Sequence, residues 1–213
     1  KRFDEYRTRK YIYDLGFAHG NAGILFFLGF AYNHGIEKET CKELICGLFE
    51  FYDSNIQDHK KNGSFFGYSY DADDYQLGKK PVQHSRLAWC YGDLGVLVTL
   101  IQVALWMNDP EKANYYERLL EKTIERRDQQ DVQVVDACFC HGSAGNAFLY
   151  KHAFELTKNE KFKDIAVYWL ENALAMANNT KALTGYNFLV GTRGEDPYQN
   201  DFPGLLEGFL GVY

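Results

Sequence analysis

Trp89-Cys90-Tyr91-Gly92-Asp93-Leu94-Gly95 is the stretch on which the reading of this chain turns. It is echoed fifty residues on by Cys140-His141-Gly142-Ser143-Ala144-Gly145, and preceded by His19-Gly20-Asn21-Ala22-Gly23. In each, a residue able to bind metal or move a proton stands just ahead of Gly-x-x-Gly. A strongly apolar run follows each. A fourth glycine pair closes the series, so the pairs lie at 20/23, 92/95, 142/145 and 208/211. The spacing is uneven, but the unit repeats.

Working outward, the runs after the glycines are apolar on every side. Gly23 to Tyr32 and Leu94 to Trp106 read as buried helices, and Ala147 to Leu156 as a third. Each is followed by an amphipathic helix. Residues 38 to 53 repeat Cys41, Leu44, Ile45, Leu48 and Tyr52 at helical spacing. Asp109 as N-cap and Pro110 at the first helical position open a charged helix to Arg127. Phe162, Ile165, Ala166, Trp169, Leu170, Ala173, Leu174 and Ala177 form a third stripe. The expected fold is all-α: an α/α toroid of helical hairpins whose inner helices are opened by Gly-x-x-Gly. Three hairpins are complete and one is begun at Gly208, so the ring is partial. Glycine at the helix start lets neighbouring backbones approach closely. Inner helices that share a rim would point their positive dipole ends at one site.

Elsewhere the pattern is weaker. Residues 1 to 15 are polar and aromatic and carry no assignment. Residues 57 to 85 form the longest irregular stretch, with Phe65-Phe66-Gly67-Tyr68 as a short strand or aromatic flap. Residues 178 to 203 read as turns and a hairpin, punctuated by Gly185, Gly191, Gly194 and Asp196-Pro197.

The chain of 213 residues is long enough for a sizeable core, and 46% hydrophobic with 24% charged residues is a globular balance. A net charge of -6 argues against nucleic acid as the main partner. Five cysteines, at Cys41, Cys46, Cys90, Cys138 and Cys140, give no regular disulfide framework, so a reducing, cytoplasmic compartment fits. The longest apolar run, Ile24 to Tyr32, is too short to span a bilayer, and no signal peptide opens the chain. It begins on Lys1 rather than methionine, so the true N-terminus is expected elsewhere.

Cys90, Cys140 and His141 are three ligands that suit zinc and leave a fourth position open, as catalytic zinc sites do. The blander reading is two buried cysteines and a core histidine. His19 could shuttle a proton near neutral pH, or serve only at the helix start. Asp93 and Asp136 could orient ligands or cap helices. His34, His59, His84 and His152 read as surface or loop residues.

Trp89-Cys90-Tyr91-Gly92, Cys140-His141-Gly142 and Ala18-His19-Gly20 resemble the signature of the lanthionine synthetase C-like family, the lantibiotic cyclases. Gly204-Leu205-Leu206-Glu207-Gly208-Phe209-Leu210-Gly211 resembles that family's last repeat. The resemblance implies a zinc-dependent cyclase that adds cysteine thiols of a ribosomally made precursor peptide to dehydrated serine or threonine, forming thioether rings. It favours Cys140 over Cys138 as ligand, and leaves Cys41 and Cys46 unbound. It makes His19 an acid/base, and gives Arg86 and Tyr91 the task of steadying an enolate. A dehydratase, or another chain completing the toroid, would be a further partner. The family's upstream catalytic aspartate has no counterpart among the eighteen residues before His19. A zinc-retaining, inactive peptide-binding scaffold therefore stands beside the cyclase reading. A prenyltransferase-like toroid would want Asp, Cys and His ligands, and a glycosidase would want a carboxylate pair. The expected form is the C-terminal half of a larger toroid, or a chain that associates with another, with Phe26, Phe27, Phe30, Phe209 and Leu210 exposed at the cut ends.

Overall fold

The computed structural model describes residues 2–3, 10–189 and 198–213. The chain divides into two compact units, Lys1–Ser85 with Cys90–Thr123, and Arg86–Trp89 with Ile124–Tyr213.

The first unit runs β1 (Arg2–Phe3), β2 (Tyr11–Asp14), α1 (Asn21–Asn33), α2 (Lys38–Asp53), α3 (His59–Asn62), β3 (Ser69–Asp71), α4 (Ala72–Gln76), α5 (Asp93–Trp106) and α6 (Pro110–Thr123). Helix α1 packs on α2 and α5, and α5 on α6. The amphipathic α2 buries Cys41, Ile45, Phe49 and Tyr52, while Leu44 stays exposed. Helix α6 begins as its sequence dictates, with Asp109 Oδ1 accepting from Lys112 N–H at 3.0 Å. It is tied to the end of α2 where Tyr116 O–H donates to Asp53 Oδ1 at 2.8 Å and Lys112 Nζ to Oδ2 at 3.1 Å. Burial and that carboxylate push the Tyr116 hydroxyl far above the ordinary tyrosine range.

The two helices that read alike in sequence differ here. In α5 every residue from Asp93 to Ala104 is buried. In α1 only Ala22, Leu25, Gly29 and Ala31 are, and Ile24, Phe27 and Phe30 lie exposed. The expectation of burial on all sides fails for α1. Its neighbours in this unit, α2 and α5, cover only part of its surface.

Residues 57 to 85 are irregular over most of their length but hold three short elements. These are α3, β3 and α4, and β3 pairs antiparallel with β2 in the register Ile12↔Asp71, Tyr13↔Tyr70, Asp14↔Ser69. Phe65 and Phe66 are buried, so they form no flap. The buried Asp93 carboxylate accepts from Phe65 N–H at 3.0 Å and from Phe66 N–H at 2.9 Å. Asp93 thus joins this segment to the start of α5. Gln83 fixes the other side, its Oε1 accepting from Tyr68 N–H at 2.8 Å and its Nε2 donating to Ser69 O at 2.7 Å.

The second unit contains α7 (Gln129–Val132), α8 (Ser143–Thr157), α9 (Glu160–Ala175), β4 (Asn187–Leu189) and β5 (Tyr198–Asn200), then a 3₁₀ turn at Phe209–Gly211. Helices α8 and α9 form the hairpin. The α9 stripe buries Phe162, Ile165, Ala166, Trp169 and Ala173, while Leu170 and Leu174 remain exposed. Strands β4 and β5 make the expected antiparallel hairpin. Gly191, Gly194 and Asp196-Pro197 lie outside the described residues. The stretch after Gly208 is a 3₁₀ turn rather than an α-helical start, with Leu210 exposed and Phe209 half-buried.

Gly20, Gly92, Gly142 and Gly208 are the N-caps of α1, α5, α8 and the 3₁₀ turn, and none of these ends has a side-chain cap. The glycines are there for contact. A Cβ on Gly20, Gly142 or Gly208 would collide with the carbonyl oxygen six residues earlier, of Asp14, Asp136 and Phe202. A Cβ on Gly23, Gly145 or Gly211 would strike the carbonyls of Phe17, Phe139 and Leu205, again six residues back. Each preceding loop folds under the first turn of its helix, and both glycines are needed to admit it. Gly92 adds a positive φ of 91°, which side chains disfavour.

Candidate functional site

The glycine frame sets a common register for the four loops. Six residues before the first glycine stand Asp14, Arg86, Asp136 and Phe202. Two before it stand Ala18, Cys90, Cys140 and Leu206, and one before it His19, Tyr91, His141 and Glu207. Every site residue expected from the sequence occupies one of these three positions.

In the first unit, His19 is exposed on the turn between β2 and α1. That turn is held by Cys90, whose carbonyl accepts from Phe17 N–H at 2.9 Å and Ala18 N–H at 3.2 Å. Cys90 is itself buried. Tyr91 is half-buried, with its ring 6.1 Å from that of His19 and edge-on to Tyr68 at 5.8 Å. Its O–H donates to Asp14 Oδ2 at 3.1 Å. Asp14 Oδ1 accepts from Gly16 N–H at 2.9 Å. Beneath this, Tyr52 O–H donates to Leu15 O at 2.7 Å. Burial first, and the Asp14 charge second, hold the Tyr52 hydroxyl well above the usual tyrosine range. Asp14 has no place among the expected site residues. Its signal was the register, six residues before a glycine pair, shared with Arg86 and Asp136.

In the second unit, Arg86 is half-buried, and the next residue, Leu87, donates its N–H to Val132 O at 3.1 Å. Trp89 packs on Phe139, ring to ring at 5.7 Å. Cys140 and His141 are half-buried, and Cys140 N–H donates to Leu206 O at 2.7 Å. Asp136 is the knot of this loop. Its Oδ1 accepts from Cys138 N–H and its Oδ2 from Leu189 N–H, each at 2.9 Å. Its backbone carbonyl accepts from Ser143 N–H at 3.1 Å. Cys138 sits in an apolar cluster with Ala137, Ala173, Tyr186 and Phe188.

Among the described residues of the second unit, the donor atoms of Asp136, Cys138 and His141 lie within 4.8 Å of one another, and Cys140 adjoins His141 in the chain. None of the five cysteines is in a disulfide. The set read from the sequence, Cys90, Cys140 and His141, offers two sulfurs and an imidazole, a donor set that fits zinc. In the Asp136 group, both carboxylate oxygens of Asp136 already accept backbone N–H groups. Cys41 and Cys46, on α2, belong to neither group. The other histidines behave as surface residues. His34 Nδ1 contacts Phe30 O at 2.8 Å, His84 Nδ1 contacts Asn62 O at 3.1 Å, His59 stacks on Phe65 at 4.5 Å, and His152 lies 3.7 Å from Glu155.

The description of the lanthionine synthetase C-like proteins matches residues 2–213. The chain belongs to the lanthionine synthetase C-like family. Among known members, it is similar to the nisin biosynthesis protein NisC of Lactococcus lactis subsp. lactis, at 23% identity over 183 residues, 85% of this chain and 43% of that protein. Its fold resembles the solved structure of a nisin cyclase, with a TM-score of 0.71 and 21% identity over 94% of this chain and 45% of that one. The hairpin architecture expected from the glycine pairs is thus the all-α toroid architecture of this family. The chain spans less than half the length of both relatives. Among the described residues, no helix is long and apolar enough to cross a membrane.

Proposed function

We propose that this chain is a lanthipeptide cyclase-type protein. It would join cysteine thiols of a ribosomally made precursor peptide to dehydroalanine or dehydrobutyrine, forming thioether rings in a reducing, cytoplasmic setting. One observation carries the reading: in a chain of this family, Cys90, Cys140 and His141 each stand one or two residues ahead of the glycine that caps an apolar helix. These residues would hold Zn²⁺, and zinc there would ease loss of the proton from a peptide thiol. Two thiolates and a neutral imidazole would cancel the charge of Zn²⁺, so a peptide thiolate in the fourth position would leave the site about one charge negative, which suits attack by sulfur rather than by water.

The remaining steps belong to side chains of the chain itself. Addition of sulfur to the alkene leaves an enolate, which needs positive or hydrogen-bonding groups and then a proton at its α-carbon. Arg86 and Tyr91 are assigned the first task. His19, exposed and close to Tyr91, is assigned the proton transfer. A dehydratase that prepares the peptide is a partner this chemistry requires.

The test is metal analysis of the purified chain, then incubation with a peptide carrying one cysteine and one dehydroalanine. About one zinc per chain and a thiol-blocking assay that reports ring closure are expected. Zinc without ring closure would make the chain a metal-holding scaffold. Absence of zinc would remove the reading altogether.

A further inference from the structure

Asp14 ends β2 with 4% of its surface exposed. One carboxylate oxygen accepts from Gly16 N–H at 2.9 Å and so closes the turn that carries His19. The other accepts from Tyr91 O–H at 3.1 Å, across 77 residues of sequence. A phenol has a single hydrogen. That hydrogen is held on Asp14 until a second anion, the enolate oxygen, develops near the phenol and competes for it. We propose that Asp14 is a positioning residue for Tyr91. Its carboxylate aims the phenol and locks it to the His19 turn, so that the two groups address the peptide as one unit. The inference rests on the reading that Tyr91 faces the peptide during ring closure.

The repeat register supports a role beyond folding. Asp136 occupies the equivalent position and spends both oxygens on backbone N–H groups, of Cys138 and Leu189. That is what closing a loop requires. Asp14 closes its loop with one oxygen and gives the other to a side chain. The third residue in this register is Arg86, which carries chemistry in the proposed reaction.

The experiment uses Asp14→Asn, which keeps the shape. With its carbonyl on Gly16 N–H, the new amide N–H₂ faces Tyr91 Oη, and the hydrogen bond reverses direction. In protein labelled with ¹³C at tyrosine Cζ, the Tyr91 resonance is assigned by its absence in Tyr91→Phe. It is expected to move in Asp14→Asn while that of Tyr150 stays. An unmoved Tyr91 resonance overturns the proposal. A second arm uses the cysteine–dehydroalanine peptide. Asp14→Ala should lower kcat about tenfold or more with little change in KM, yet cost less than about threefold in a Tyr91→Phe background, because the partner is already gone. An equal loss in both backgrounds also overturns it. If the wild-type chain closes no ring, the proposed function fails, and the carbon resonance still decides whether Asp14 holds Tyr91.

Discussion

In the loop before α1, Asp14 Oδ1 accepts from the N–H two residues on at 2.9 Å. In the loop before α8, Asp136 Oδ1 does the same at 2.9 Å. Both loops pass beneath a glycine pair that tolerates no Cβ. What differs is the content of the frame. Ala18 stands where the second loop has Cys140, and the second oxygen of the aspartate goes to a phenol in one and to a backbone amide in the other. The frame is one device used repeatedly, and the chemistry is set at the positions six, two and one before the first glycine.

The largest effect should come from breaking the frame itself. Gly145→Ala would drive a Cβ into the Phe139 carbonyl, a backbone atom in a loop fixed at both ends. We expect a loss of about 4 kcal/mol or more, read by urea denaturation or as failure to fold. Gly47 in α2 is the control, because nothing lies within 4 Å of its Cβ position. Gly47→Ala should stabilise the chain by about 0.5–1 kcal/mol, from helix propensity alone. Similar outcomes for the two variants would refute the close-approach explanation.

The next effect concerns content rather than frame. Cys140→Ala should take zinc from about one per chain to less than about a tenth, by mass-spectrometric metal analysis. Cys138→Ala should leave it in place, at a cost in core packing. Ala18, at the position of Cys140 in the other loop, has no sulfur to offer, so the proposed metal would belong to the α8 loop. Full zinc in Cys140→Ala with loss in Cys138→Ala would hand the site to Asp136, Cys138 and His141.

Much of this frame could be read from the chain. Gly-x-x-Gly followed by an all-apolar run marks the start of α1, α5 and α8, and before α1 and α8 the loop's return under the helix demands glycine twice in fixed spacing. Cys90, Cys140, His141, His19 and Tyr91 lie next to those glycines and were found with them. Burial of α1 was not legible, since apolar composition says what a helix can bury and not what covers it. The anchoring of residues 57–85 was hidden for another reason. It depends on Asp93 reaching Phe65 and Phe66, 28 and 27 residues away, and such bonds leave no local pattern. Asp14 was passed over because its partner, Tyr91, is 77 residues distant.

A smaller effect separates the two aspartates. In Asp14→Asn, the partner facing the new amide is a hydroxyl, which can turn and accept. In Asp136→Asn, both original partners are backbone N–H groups, and one of them must then face an N–H₂ group. A buried donor left without an acceptor costs about 1–3 kcal/mol. Asp136→Asn should therefore lose that much by chemical denaturation, and Asp14→Asn less than about 1 kcal/mol. Zinc affinity should fall in the first and not in the second, because Asp136 anchors the loop that carries Cys140 and His141. Equal losses would mean that the two carboxylates do the same structural job.

The smallest effect tests the same clasp where it stands at the surface. Asp201 accepts from Leu183 N–H and Thr184 N–H at 2.7 Å each, and from the Thr184 hydroxyl at 2.5 Å. The Thr184 hydroxyl first, and the Thr184 and Leu183 amides after it, hold the Asp201 carboxyl below the ordinary range. A depressed folded pKa means that the charged form is the one the fold favours. Its contribution is fully present above the unfolded aspartate pKa, about 3.9, and is lost as pH falls through the lower folded value. The amide proton resonances of Leu183 and Thr184 should thus hold steady down to about pH 4 and shift only below it. Asp201→Asn should abolish that shift and leave zinc content untouched. Water shares this site, so the change in overall stability should be slight. A midpoint above the ordinary aspartate value would show that the exposed clasp does not favour the charged carboxylate.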